Sequence, residues 1–104
     1  MKTAELEGTR LNYWVARADD FDHAGADFVQ HVHDAAQEWY YGGPLIERER
    51  IAILPQFEDG KVSWRATNDK VHRAYDGPTP LIAAMRAFVA SRFGDEVPDI
   101  KETA

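Results

Sequence analysis

Apolar residues recur along this chain with two different periods, and the switches between them outline the fold. From Leu81 to Phe93, the positions Leu81, Ile82, Met85, Phe88, Val89 and Phe93 return every three or four residues, which predicts a helix. Its boundaries are written beside it. Thr79 can accept from a free amide of the first turn, Pro80 suits the first helical position, and Gly94 can close the far end. Ala83, Ala84, Ala87 and Ala90 favour the helix and let a neighbour come close.

Upstream the period drops to two. With Asp59-Gly60 as a type I′ turn, Glu58 pairs with Lys61, Phe57 with Val62, Pro55 with Trp64 and Ile53 with Ala66. This register gathers Ile53, Pro55, Phe57, Val62, Trp64 and Ala66 on one face, which the C-terminal helix is expected to cover, burying Trp64. Pro55 falls at a non-hydrogen-bonded pair and blocks the ladder on its other side, so residues 51–57 are expected as an edge strand. A third strand, Val71 to Tyr75, is expected to return through Asn68-Asp69. Leu11, Trp14, Val15 and Ala18 predict a helix over 8–18, and Phe28, Val32, Ala35 and Trp39 a second over 25–39, ended by Gly42-Gly43-Pro44. The expected class is α+β: two N-terminal helices, a two- or three-stranded antiparallel meander, and a C-terminal helix packed on the sheet. Residues 1–98 are read as one domain and 99–104 as a frayed tail.

Charge narrows the choice of partners. The chain has 12 Lys and Arg against 18 Asp and Glu, a net of −6 over 104 residues. Asp19, Asp20, Asp22, Asp27, Asp34 and Glu38 fall in a stretch without Lys or Arg and account for the whole excess. A chain with no basic stripe is a poor binder of phosphate backbones or anionic membranes, so neither nucleic acid nor membrane is expected as a partner. No apolar run reaches the ~18 residues a membrane span needs. The first residues are too acidic and too short of apolar residues for a secretory signal. There is no cysteine, which removes disulfides, thiolate metal sites and a cysteine nucleophile.

Three places could carry function. His23, Asp27, His31 and Asp34 would share one flank of a helix, where oxygen and imidazole ligands can hold a divalent ion. A solvated acidic face explains the same residues, and no HExxH signature accompanies them, so no metal or other cofactor is assigned. Gly77-Pro78-Thr79-Pro80 could receive an anion, but two prolines remove two of the amides required and capping explains the motif. Trp39-Tyr40-Tyr41 sets aromatics beside Gly42 and Gly43. Trp39 is expected in the core. Tyr40 and Tyr41 cannot both point inward, and aromatic side chains are common anchors at recognition surfaces. Glu47-Arg48-Glu49-Arg50 reads as a surface turn of local ion pairs. Tyr40, Tyr41, Gly43, Glu47, Arg48 and Arg50 are therefore the candidate partner-binding residues.

Three stretches also resemble a known family. They are Thr3 to Gly8 running on to Tyr13-Trp14-Val15-Ala16, then Gly42 to Ile51, then Gly77 to Arg86 continuing to Phe93-Gly94-Asp95-Glu96-Val97. In this order they resemble the phage NinX-like family, small proteins of phages and bacterial prophage regions with a domain of unknown function. The resemblance implies a phage-derived protein of the bacterial cytoplasm and brings no activity, cofactor or catalytic residue. The sequence thus points to a non-enzymatic accessory or interaction module with an unknown protein partner. The alternative is a small metal- or anion-dependent enzyme using residues 19–38.

Overall fold

The computed structural model describes residues 1–19 and 35–98. After a 3-10 turn at Thr3–Glu5 the chain forms helix α1 (Gly8–Asp19) and helix α2 (Trp39–Glu49). Strands β1 (Ala52–Glu58), β2 (Lys61–Thr67) and β3 (Tyr75–Gly77) follow, then helix α3 (Pro80–Phe93). The strands form one antiparallel sheet in the order β1-β2-β3, which with the helices gives the expected α+β class.

The hairpin has the register read from its turn. Glu58 faces Lys61, Phe57 faces Val62, Pro55 faces Trp64 and Ile53 faces Ala66. Asp59 and Gly60 both take positive φ, 52° and 76°, as a type I′ turn requires. Helix α3 is also built as its sequence indicates. The Thr79 hydroxyl accepts from the Ile82 amide at 3.1 Å, Pro80 opens the first turn, and the Gly94 amide donates to the Ala90 carbonyl. All ten residues from Leu81 to Ala90 are buried, so α3 is the central element of the described core.

Three expectations need correction. The third strand is Tyr75–Gly77 rather than Val71–Tyr75, and it pairs only with Trp64 to Ala66. Asn68 is the reason: its side chain is turned inward, donating to the Glu49 carbonyl at 3.3 Å and accepting from the Lys70 amide at 3.0 Å. That ties residues 68–70 into a loop before a strand can begin. Gly77 then lets the sheet meet α3, because a Cβ there would lie 2.6 Å from the Ala83 nitrogen.

The second correction concerns cover. Ala66 is fully buried, but Trp64 is only half-buried against the core rather than sealed under the helix. Phe57 is 76% exposed and Val62 50%, so the outer half of the apolar face extends beyond α3 and β3.

The third is α2. Residues 25–34 of the expected second helix lie outside the described residues, Ala35 to Gln37 form a turn, and Trp39 begins a helix instead of ending one. Gly42-Gly43-Pro44 lies inside that helix.

Tertiary hydrogen bonds join the ends of the fold. Asn12 Oδ1 accepts from the Ala36 amide at 3.3 Å, fixing the turn before α2 against α1. Buried Arg86 donates from Nε to the Leu6 carbonyl at 2.8 Å and from Nη1 to the Asp76 carbonyl at 2.7 Å. Burial holds its pKa below the usual arginine value. Thr3 completes the join, donating through its amide to the Asp95 carbonyl and through its hydroxyl to the Gly94 carbonyl.

Candidate partner-binding surface

Helix α2 positions most of the sequence-predicted site, and its first turn depends on backbone alone. Glu38 is extended, and its carbonyl accepts from the Tyr41 amide at 3.1 Å and the Gly42 amide at 2.9 Å. The last turn closes on Arg50, which takes the left-handed conformation at φ 55°. Its amide donates to Glu47 and Ile46, and the Ile51 amide donates to the Ile46 carbonyl. This is the Schellman pattern on an arginine rather than a glycine.

Helical spacing separates two faces. Gly42, Leu45 and Glu49 point inward and are buried. Gly42 is required there, because a Cβ would stand 2.5 Å from the Ala35 carbonyl oxygen and 2.6 Å from Leu81 Cδ2. That contact fixes the rotation of α2. It sends Tyr40, Gly43, Pro44 and Glu47, spaced three and four apart, along the outer face. Tyr40 is 81% exposed. Trp39, expected in the core, is 55% exposed, because the Gly42 contact places it at the margin of the inner face. Tyr41 turns back and packs against the core, its ring meeting that of Tyr40 edge-on at 5.0 Å.

The structure thus brings Tyr40, Gly43 and Glu47 together, with Tyr41 and Arg48 on one flank and Arg50 past the helix end. Arg48 is already engaged: Nη1 lies 2.8 Å from Asp19 Oδ1 and Nε lies 2.9 Å from Glu49 Oε2.

Glu49 corrects the reading of residues 47–50 as a surface turn. Its side chain is 5% exposed, and three cations converge on it. Besides Arg48, Arg92 Nη2 lies 3.1 Å from either carboxylate oxygen and Lys70 Nζ lies 3.6 Å from Oε1. Burial alone pushes this carboxyl up, but the Arg48 hydrogen bond and the Arg92 and Lys70 charges outweigh it and hold the pKa below the ordinary value. Arg92 and Arg48 also lie over the Phe88 ring, at 5.3 and 5.8 Å from its centroid. Glu49 therefore locks α2 to α3 and to the β2–β3 loop. Its place on the inner face, four residues after Leu45, was the available signal, hidden because Gly-Gly-Pro reads as a break.

A second polar cluster went unread in the sequence. A cavity of about 310 Å³ is lined by Lys2, Glu5, Arg73, Tyr75, Asp95 and Glu96 among others. The Tyr75 hydroxyl donates to Asp95, whose other oxygen lies 3.2 Å from His72 Nε2. Burial and the Asp95 hydrogen bond push the Tyr75 phenol up to about 12, so it remains a donor at neutral pH. The Tyr75 hydrogen bond in turn holds the Asp95 carboxyl below its usual range. The arrangement braces the loop before β3 against the segment after α3.

The hairpin also exposes Phe57 and Val62 on one face and Leu54 on the other. Pro55 sits on its outer edge, where a missing N–H and the ring obstruct pairing with another strand. His23, Asp27, His31 and Asp34 lie outside the described residues. Among the described residues, no three His, Asp or Glu side chains form a group that could hold a metal ion. None of the described helices is long and apolar enough to cross a membrane.

The family model described as Bacteriophage P22, NinX matches residues 2–92, a span containing every described helix and strand except the last residue of α3. It spans the first two stretches that carry the resemblance, the segments between the three, and the third as far as Arg92. No curated protein matches the chain.

Proposed function

Because the chain belongs to the Bacteriophage P22 NinX family, we propose that it is a phage accessory protein that works by binding a protein partner in the cytoplasm of the bacterial host. The outer face of α2 is the binding surface, with Tyr40, Gly43 and Glu47 at its centre and Trp39, Tyr41, Arg48 and Arg50 around it. The observation that carries this reading is the exposure of Tyr40 and Trp39 side by side on a helix whose inner face is fully packed. Aromatic side chains at such positions contribute little to folding and much to association. A protein is favoured over a nucleic acid because the chain carries a net charge of −6.

The test is a Trp39→Ser/Tyr40→Ser double variant used as bait in phage-infected bacteria. It should melt within a few degrees of the parent and lose the partner that the parent captures. A folded variant that captures the same partner would place binding elsewhere.

A further inference from the structure

Two adjacent residues on the outer row of α2 work against the helix that carries them. A Cβ added at Gly43 would meet no heavy atom within 4 Å, and Gly43 is not among the residues of positive φ. Neither a close neighbour nor a left-handed backbone requires glycine there, and at such a position alanine suits a helix better. Pro44, beside it, brings no N–H to the Tyr40 carbonyl four residues back, a bond any other residue type could make. The outer row therefore presents bare backbone between the exposed Tyr40 ring and the exposed Glu47 carboxylate. Where a local rule is broken with no gain inside the molecule, the gain is expected outside it.

Charge indicates what lies there. Glu38 just before α2 and Glu47 on its outer row are both exposed. Arg48 is already committed to Asp19 and Glu49. The outer face is thus aromatic, with an exposed carboxylate toward either end, a combination that attracts cations. Arginine fits it better than lysine, because a planar guanidinium can stack on a ring and pair with a carboxylate at once.

We propose, resting on the partner-binding reading above, that the occupant is a basic, arginine-bearing segment of the partner protein whose backbone lies against Gly43. A backbone N–H of that segment donates to the Tyr40 carbonyl. Its guanidinium groups stack on Trp39 and Tyr40 and pair with Glu47.

The probes are three synthetic amphipathic peptides, identical except for Arg, Lys or Glu at their charged positions, titrated into the isotopically labelled protein. The arginine peptide should shift the Trp39 indole, Tyr40 and Gly43 resonances saturably, the lysine peptide should bind several-fold more weakly, and the glutamate peptide should leave them unmoved. Gly43→Ala should weaken arginine-peptide binding several-fold while melting higher than the parent, a pairing that loss of folding cannot produce. Unchanged affinity in Gly43→Ala, equal affinity for arginine and lysine, or no saturable shift at these residues would each overturn the proposal. If the peptides fail while Trp39→Ser/Tyr40→Ser still loses its captured partner, this inference falls and the partner-binding reading stands.

Discussion

Gly42 and Gly43 are neighbours in one helix, yet the structure demands only the first. On the inner face, Gly42 touches the Ala35 carbonyl and Leu81, Leu45 fills the core, and Glu49 collects three cations. Every residue of that face is explained by what it packs against. On the outer face, a Cβ at Gly43 would meet open space, Pro44 removes a hydrogen-bond donor, and Tyr40 stands in solvent. Packing dictates the first set and leaves the second free. A free face that still carries costly residues is where function is to be sought.

The largest effect is expected on the inner face, at Glu49. Glu49→Ala leaves Arg92 without its counter-charge in a largely buried place, while half-exposed Arg48 and Lys70 can be hydrated, so the loss is expected at up to roughly 3 kcal/mol. Denaturant unfolding measures this directly. The same residue gives a pH signature. Its folded pKa is depressed, so its stabilisation is complete above the ordinary value of 4.5 and is lost as pH falls through the folded value. Between pH 5 and 3 the parent should therefore lose melting temperature more steeply than Glu49→Gln, which cannot titrate.

Next comes Gly42→Ala. Its Cβ would press on a backbone oxygen 2.5 Å away, and overpacking of this kind costs about 1–3 kcal/mol, more than the up to ~1 kcal/mol gained in helix propensity. Chemical denaturation should show a net loss. The smallest effect belongs to Trp39→Ser/Tyr40→Ser, expected to change stability by ~0.5 kcal/mol per site or less because both side chains are largely exposed.

The same contrast explains how much of the molecule was legible in its sequence. The hairpin register and the boundaries of α3 were readable because Asp59-Gly60, Thr79, Pro80 and Gly94 act through their own local chemistry. Helix α2 was not, because its stop signal is genuine locally and is overruled only by a tertiary contact, the seating of Gly42 on Ala35 and Leu81. Trp39 and Glu49 followed that error, exchanging their expected places inside and outside. β3 moved for a similar reason, since the inward turn of Asn68 toward Glu49 cannot be seen along the chain. Of the candidate site, the exposure of one of the two tyrosines could be read. The row joining Tyr40, Gly43 and Glu47 could not, because it exists only once the helix runs through Gly-Gly-Pro.

Whether Gly43 serves the fold is read from the melting temperature of Gly43→Ala. With open space around the new methyl group and a helical site, the substitution should stabilise by up to ~1 kcal/mol, a rise of roughly 4–8 °C in a domain of this size. An unchanged or lower melting temperature would mean that the fold itself requires this glycine, and the distinction between the two faces of α2 would be lost.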